Sequence, residues 1–319
     1  MNTALITGAT GQDGSYLCEQ LAAEGVHIHA VVEDAQAAAT LPWLTAAEIH
    51  QVDLRDTAAL AALVAVSAPD EVYNLAGLSS VARSWEEPVL TTQVNATPVV
   101  VLLQAAMELQ DRTGGAVRFV QASSAEIFGT AAVSPQDENT PLAPTNPYGA
   151  AKAFAHNMVG VYRTLGLHAS SCVLYNHESP RRPEAFVTRK ITAAAARIAL
   201  GTQDRLTLGT LDVRRDWGWA PDYVAGLVLA ARHPEPLDFV LATGETHSIG
   251  DFVDAAFRAA GLPQWEVFVE LDDTLARPSE TVEQRGDATR ARAELGWQQT
   301  AGFHELVQRM VDVDLAGDS

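Results

Sequence analysis

The stretch TALITGATGQDGSYLCEQLAAEG, near the start of the chain, constrains the fold more tightly than any other. A short aliphatic and β-branched run meets Gly8, Gly11 and Gly14 and then a helix-period segment, which is the succession strand, tight turn, helix N-terminus. Each glycine has its own task. The first permits the turn, the second lets backbone N–H groups approach a pyrophosphate, and the third lets helix and strand pack closely. Gln12 and Asp13 sit between the last two, at the mouth of the helix. A GxxGxxG alone is a weak signal, because any glycine-rich turn can match it. Its position directly after the first strand of a βαβ unit gives it weight.

That first unit is followed by more of the same kind. HIHAVV, EIHQVDL, DEVYNLA, VRFVQAS and HASSCVLYN read as strands, alternating with helix-period stretches such as DTAALAALVAV and GAAKAFAHNMVGVYR. The rhythm predicts an α/β protein with a Rossmann-type, doubly wound parallel sheet. Residues 1–176 are expected to form the dinucleotide-binding domain. Beyond them the pattern loosens into ESPRRPEAFVTRK, an alanine-rich helix, the short strands LTLG and DFVLAT and two further helices. Residues 177–319 are therefore expected to be mainly a smaller α/β lobe at the sheet's carboxyl edge, with 210–243 partly returning to the first domain. In QVNATPVVVLLQAAMELQ, Pro98 must either kink a buried-looking helix or mark its true start.

A formal net charge of −19, from 40 acidic and 21 basic residues, repels phosphate backbones and acidic membrane surfaces. Nucleic acid and membrane are not expected partners, and an anionic substrate would need local arginines. Two cysteines, Cys18 and Cys172, in a chain of 319 residues fit a reducing compartment with free, buried thiols. The N-terminus lacks the basic run and apolar core of a signal peptide, so the expected location is the cytoplasm.

The remaining strand ends supply further cofactor candidates. VVEDAQ places Glu33 and Asp34 after the second strand, about twenty residues beyond the glycines, where an acid accepts hydrogen bonds from an adenosine ribose. This favours NAD over NADP. Asp53 and Leu54 follow the third strand and are placed to flank the adenine; Ala76 and Gly77 follow the fourth and are placed to line the cofactor. No set of metal ligands is singled out.

NPYGAAK puts Tyr148 and Lys152 one helical turn apart on one face. An adjacent ammonium is expected to stabilise the phenolate, lowering the tyrosine's pKa and making it a base for a sugar hydroxyl. Ser124, at the end of the fifth strand, offers a hydroxyl for the same substrate oxygen. All three after a dinucleotide cradle read as one catalytic constellation, and Tyr148 and Lys152 are also expected to contact the cofactor.

GATGQDGSYL, QASSAEIFG, NPYGAAK, YNHESPRR with FVTRK, LDVRRDWGWAPDYV, ATGETHS and RPSE follow one another in the order seen in GDP-mannose 4,6-dehydratases, of the extended short-chain dehydrogenase/reductase superfamily, which the chain resembles along nearly its whole length. The resemblance implies that Ser124, Tyr148 and Lys152 serve hydride transfer and that Glu126 is the base of an elimination. It also implies nucleotide-sugar contacts at Ser79, Asn176, Thr188, Arg189 and Lys190, diphosphate contacts at Arg215 and Arg277, and a ribose contact at Glu280. The implied reaction turns GDP-mannose or a related GDP-sugar into its 4-keto-6-deoxy form through a tightly held NAD(P).

Three features depart from that family. Its dehydratases carry an oxygen-bearing side chain where this chain has Ala125, which can help protonate the departing hydroxyl. They also carry an arginine-rich insert after the second strand, which binds the NADP 2′-phosphate and reaches a neighbouring subunit; the short EDAQAAATLPWL stands here. Thr97 and Pro98 break the small-residue pattern of the dimerising helix. A homodimer is expected, with a tetramer left open. A 4-epimerase, a 3,5-epimerase, a 4-keto-6-deoxy sugar reductase and a non-catalytic cofactor-binding sensor remain alternatives. Trp217 and Trp219 are assigned no chemistry beyond packing.

Overall fold

The computed structural model of the chain describes residues 2–275 and 281–317. The six apolar runs become β1 (Thr3–Thr7), β2 (His27–Val32), β3 (Ala47–Gln51), β4 (Glu71–Asn74), β5 (Arg118–Ala122) and β6 (His168–Leu174). Short strands follow: β7 (Asn176–Glu178), β8 (Leu206–Leu208), β9 (Arg214–Arg215), β10 (Trp217–Trp219), β11 (Phe239–Leu241), β12 (His247–Ser248), β13 (Val269–Leu271) and β14 (Glu283–Gln284). β11 joins the first six in a seven-stranded sheet of order β11-β6-β5-β4-β1-β2-β3. Every pairing in it is parallel.

Alternation along each strand sorts side chains to the two faces. Ala4 and Ile6 pack with Leu17 and Leu21 of the helix Gln12–Ala23 and with Val224 and Leu227 of Ala220–Arg232. Leu5, between them, faces Leu60 and Val64 of Thr57–Ser67 and Leu102 and Leu103 of Thr97–Thr113. Strands buried on both faces are why the runs read as continuously apolar. The order reverses between β1 and β4, and such a switch point leaves a crevice at the carboxyl ends of the strands.

Pro98 marks a true helix start. It lies in the first turn of Thr97–Thr113, and Ala96 separates that helix from Pro88–Asn95. By length and composition the span Pro88–Thr113 is apolar enough to cross a membrane; here the junction interrupts it and one face is buried under the sheet. Cys18 and Cys172 are free and buried. The rest of the chain builds a second core from Ile191, Trp217, Phe252, Phe303 and Leu306, on the helices Val187–Ala199, Ile249–Ala259 and Phe303–Ala316 and strand β10. The two cores meet over the carboxyl ends of β4, β5 and β6, where a cavity of about 410 Å³ opens.

Candidate active site

The glycine turn has the shape its sequence predicts. Gly8 holds φ +74°, and a Cβ there would lie 2.9 Å from Ala76 Cα, so the loops after β1 and β4 touch. A Cβ on Gly14 would lie 2.1 Å from the Gly8 carbonyl oxygen, which only glycine avoids. Gly11 differs: its Cβ would meet only that oxygen, at 3.3 Å, and its outer side is open. The free first-turn N–H groups of Gln12–Ala23 lie beside that opening, a cradle that fits a pyrophosphate.

Glu33 and Asp34, Asp53 and Leu54, and Ala76 and Gly77 leave the same sheet edge from β2, β3 and β4. Glu33 and Asp34 are exposed, and Asp34 accepts from the N–H groups of Gln36 and Ala37, capping the short helix Ala35–Ala38. Asp53 is held by Arg55 at 2.5 Å. The Ala76 N–H donates to Thr7 Oγ1, and Asn95 pins the next loop by bonding both backbone groups of Leu78.

A buried polar chain crosses three neighbouring strands behind this edge. Thr7 donates to Asn74, Asn74 to Gln121, and Gln121 to the Ala122 carbonyl, at 2.7, 2.8 and 2.8 Å. Lys152 donates to that same carbonyl at 2.9 Å. Its ammonium lies 5.8 Å from the ring centroid of Tyr148, and both side chains line the cavity with Ser124.

The expected drop in the tyrosine's pKa is not found. Burial pushes the Tyr148 phenol up to about 12, countered in part by the Ser124 hydroxyl. Burial also brings Lys152 down to about 8, against the pull of Asp13. The helical spacing predicted the proximity, but at this separation desolvation outweighs the ammonium's attraction for phenolate.

Glu126 lies in a short turn, Ala125–Ile127, capped by the Ser124 hydroxyl, which accepts from the Glu126 N–H. Its carboxylate lines the cavity and accepts from the Asn146 side-chain amide at 2.6 Å. The Asn146 carbonyl in turn accepts from the Gly149 N–H at 2.8 Å, capping the helix Pro147–Thr164 that carries Tyr148 and Lys152. One asparagine thus ties the two catalytic candidates' elements together. A Cβ on Gly149 would lie 2.4 Å from the Glu126 carbonyl oxygen, so the helix can approach only with glycine there. Ala125 is 4% exposed, its methyl part core and part cavity wall.

The opposite wall comes from the second half of the chain. Asn176, Thr188, Lys190 and Arg215 line the cavity, as does the exposed Ser79 from the first half. Thr188 donates to Glu178 at 2.7 Å, Lys190 to the Thr207 carbonyl at 2.7 Å, and Arg215 to the carbonyls of Arg214 and Thr281, both at 2.8 Å. Arg189 corrects the reading of VTRK as three contacts in a row: it is buried away from the cavity, with its guanidinium in an ion pair with Asp314 at 2.5 Å. Arg277 and Glu280 lie outside the described residues. Trp217 is a core aromatic packed on Phe252 and Phe303, and its edge also walls the cavity.

Three contributors escaped the sequence reading. Asn146 was visible only as the residue before Pro147. Arg182, in SPRR, lies in the cavity 3.3 Å from Glu178 and over the Phe186 ring. His177 is buried, its Nε2 2.9 Å from Asp13 and its Nδ1 2.7 Å from the Tyr175 carbonyl, so both ring nitrogens face acceptors. Burial disfavours the imidazolium, but Asp13 outweighs it and holds His177 above its ordinary pKa. Burial likewise opposes the Asp13 carboxylate, and His177, Gln12 and Arg182 together hold it below the usual range.

This arrangement matches known proteins along its whole length. A family model described as GDP-mannose 4,6 dehydratase matches residues 5–310. The chain is 43% identical over 324 residues to GDP-mannose 4,6 dehydratase 2 of Arabidopsis thaliana, covering 98% of this chain and 86% of that one. It is 40% identical over 342 residues to the GDP-mannose 4,6-dehydratase of Sinorhizobium fredii (strain HH103), covering 98% and 96%. Among solved structures, the UDP-glucose 4-epimerase of Thermus thermophilus in complex with NAD superimposes with a TM-score of 0.84 at 26% identity, over 98% of each chain. Whole-length identity to two full-size relatives, on a fold whose pocket gathers Ser124, Tyr148 and Lys152 beside the Glu126 carboxylate, establishes that this chain belongs to the GDP-mannose 4,6-dehydratase family.

Proposed function

We propose that this chain is a sugar-nucleotide 4,6-dehydratase that converts GDP-mannose, or a related GDP-sugar, to the 4-keto-6-deoxy product. The observation that carries the reading is Glu126, fixed by Asn146 on the wall that also holds Ser124 and Tyr148. A hydride-transfer set alone serves an epimerase or a reductase equally well; a positioned carboxylate beside it has a task when a proton must leave C5.

When bound, the nicotinamide supplies the acceptor and later the donor of the hydride, and its oxidised form adds a positive charge that favours phenolate. Tyr148 takes the proton of the C4 hydroxyl while Ser124 holds the same oxygen. The resulting C4 ketone acidifies C5, and Glu126 removes the C5 proton. The C6 hydroxyl departs as water. Ala125 has no proton to give, so the proton Glu126 has taken is the one available to the leaving oxygen. Rehydrogenation at C6 and a solvent-derived proton at C5 complete a reaction without net redox change. Lys190, Arg215 and Arg182 supply the cations that a diphosphate needs in so acidic a chain.

The cofactor is a nicotinamide dinucleotide cradled at Gly8–Gly14, and NAD is the preferred form. The exposed Glu33 and Asp34 support this preference, as acids that can accept from a ribose diol, and Arg55 is already engaged by Asp53. We further propose a cytoplasmic homodimer, for which the exposed Phe154 and Val161 on the helix Pro147–Thr164 offer apolar surface.

Incubation of the protein with a panel of sugar nucleotides in deuterated water tests the assignment. Loss of one water with deuterium at C5 from a GDP-sugar is the expected result. Isomerisation without mass loss would assign an epimerase instead, a reading that the missing hydroxyl at Ala125 favours, and no turnover of any sugar would leave the reductase or the sensor.

A further inference from the structure

Outside the pocket, the described residues bring one other group of chemically capable side chains together, on the open edge of the sheet. β2 begins His27-Ile28-His29, and β3 contains Glu48-Ile49-His50. The parallel register sets His29 beside Glu48, and alternate residues of neighbouring strands share a face. His27, His29 and Glu48 therefore lie on one face in the amino-terminal halves of these strands, and His50, two residues on along β3, reaches His29 from the same face.

Their separations are those of a coordination shell. Glu48 Oε2 lies 3.6 Å from His27 Nε2 and 3.5 Å from His29 Nδ1, and Glu48 Oε1 lies 3.6 Å from His50 Nε2. His29 Nδ1 and His50 Nε2 are 2.9 Å apart. The ligand atoms of His27, His29 and Glu48 all fall within 4.8 Å of one another. A tetrahedral ion with bonds of about 2.0–2.1 Å holds its ligand atoms about 3.3 Å apart, so small side-chain shifts would close the shell. His29 is buried while Glu48 is more than half exposed, which gives a fixed floor and an entry path.

Imidazole with one carboxylate suits zinc-class cations rather than magnesium or calcium. We propose that His27, His29, His50 and Glu48 form a site for a single divalent transition-metal ion of the zinc class, which clamps the edge strand β3 to β2.

The test is calorimetric titration of metal-stripped, full-length protein with Zn²⁺, paired with Co²⁺ titration read by visible absorption. One equivalent bound, tetrahedral Co²⁺ bands and a melting midpoint raised by a few degrees are expected. His27→Gln and Glu48→Gln replace exposed side chains in an otherwise folded protein, and each should weaken binding by about tenfold or more, while Mg²⁺ should not bind. Unchanged affinity in both variants, or no stoichiometric binding by the unmodified protein, would overturn the proposal. Neither readout depends on dehydratase activity, so failure here is separable from failure of the catalytic assignment.

Discussion

The two walls of the pocket are held by different means. On the sheet side, Ser124, Glu126, Tyr148 and Lys152 stand on elements locked through the backbone: a helix cap at Asn146, a turn cap at Ser124 and the close approach of Gly149 to the Glu126 carbonyl. On the facing side, Thr188, Lys190, Arg182 and Arg215 are drawn from separate segments and held by side-chain polar contacts, with the Arg189–Asp314 pair anchoring the helix Val187–Ala199 from behind. One wall is set by caps and close backbone approach and the other by side-chain polar contacts, so the walls should fail differently when cut.

The largest effect is expected on the sheet side. Tyr148→Phe removes the proton acceptor, and such groups contribute about 10²–10⁴-fold; kcat should fall in that range while GDP-sugar and cofactor binding, read by calorimetry, persist. On the facing wall, Arg189→Met leaves Asp314 buried without its partner and should cost about 3–5 kcal/mol in denaturant unfolding. Lys190→Met should leave stability nearly unchanged and raise KM by roughly tenfold, the scale of a lost charge-assisted hydrogen bond. If Arg189→Met instead raised KM in a protein of normal stability, the division between the walls would fail.

Asn146 joins cap and carboxylate, and the two roles separate. Asn146→Ser keeps a capping acceptor for the Gly149 N–H but is too short to reach Glu126, so elimination should slow with little change in melting. Asn146→Ala should lose about 0.5–2 kcal/mol as well, the scale of a missing N-cap. Wild-type activity in both variants, alongside unequal stabilities, would show that Glu126 needs no amide.

The smallest effect is a pH dependence of stability. With its folded pKa above the unfolded value, protonated His177 contributes stability that is full below about pH 6.5 and lost as pH rises through the folded pKa. Asp13, shifted the other way, contributes stability lost in acid below its ordinary range. Unfolding profiles of His177→Gln should be flatter than wild type on the alkaline side, and identical slopes would remove this pair from the account.

Most of the fold was readable because parallel strands buried on both faces leave continuous apolar runs, and the glycine turn could be read position by position. The site was readable where its geometry is local: Tyr148 and Lys152 share a helix face, and Ser124 ends a strand. Reading failed where spacing was taken for direction. Consecutive helical residues point apart, so Thr188, Arg189 and Lys190 cannot all face one wall, and Arg189 turned inward to Asp314. It failed again where pairing is tertiary. Asp13 and His177 are 164 positions apart, and HIH and EIH become one patch only through the β2–β3 register. The charge argument for a lowered Tyr148 pKa neglected burial, which only the folded pocket shows.

The central claim is that Glu126 separates a dehydratase from its relatives of the same fold. Rapid mixing of Glu126→Gln with GDP-mannose and cofactor, followed by absorbance of the reduced nicotinamide and by mass of the sugar, tests it most directly. The account predicts that reduced cofactor builds up, because the C4 step proceeds on Tyr148 and Ser124, while no water is lost. Dehydration by Glu126→Gln at the wild-type rate would contradict it.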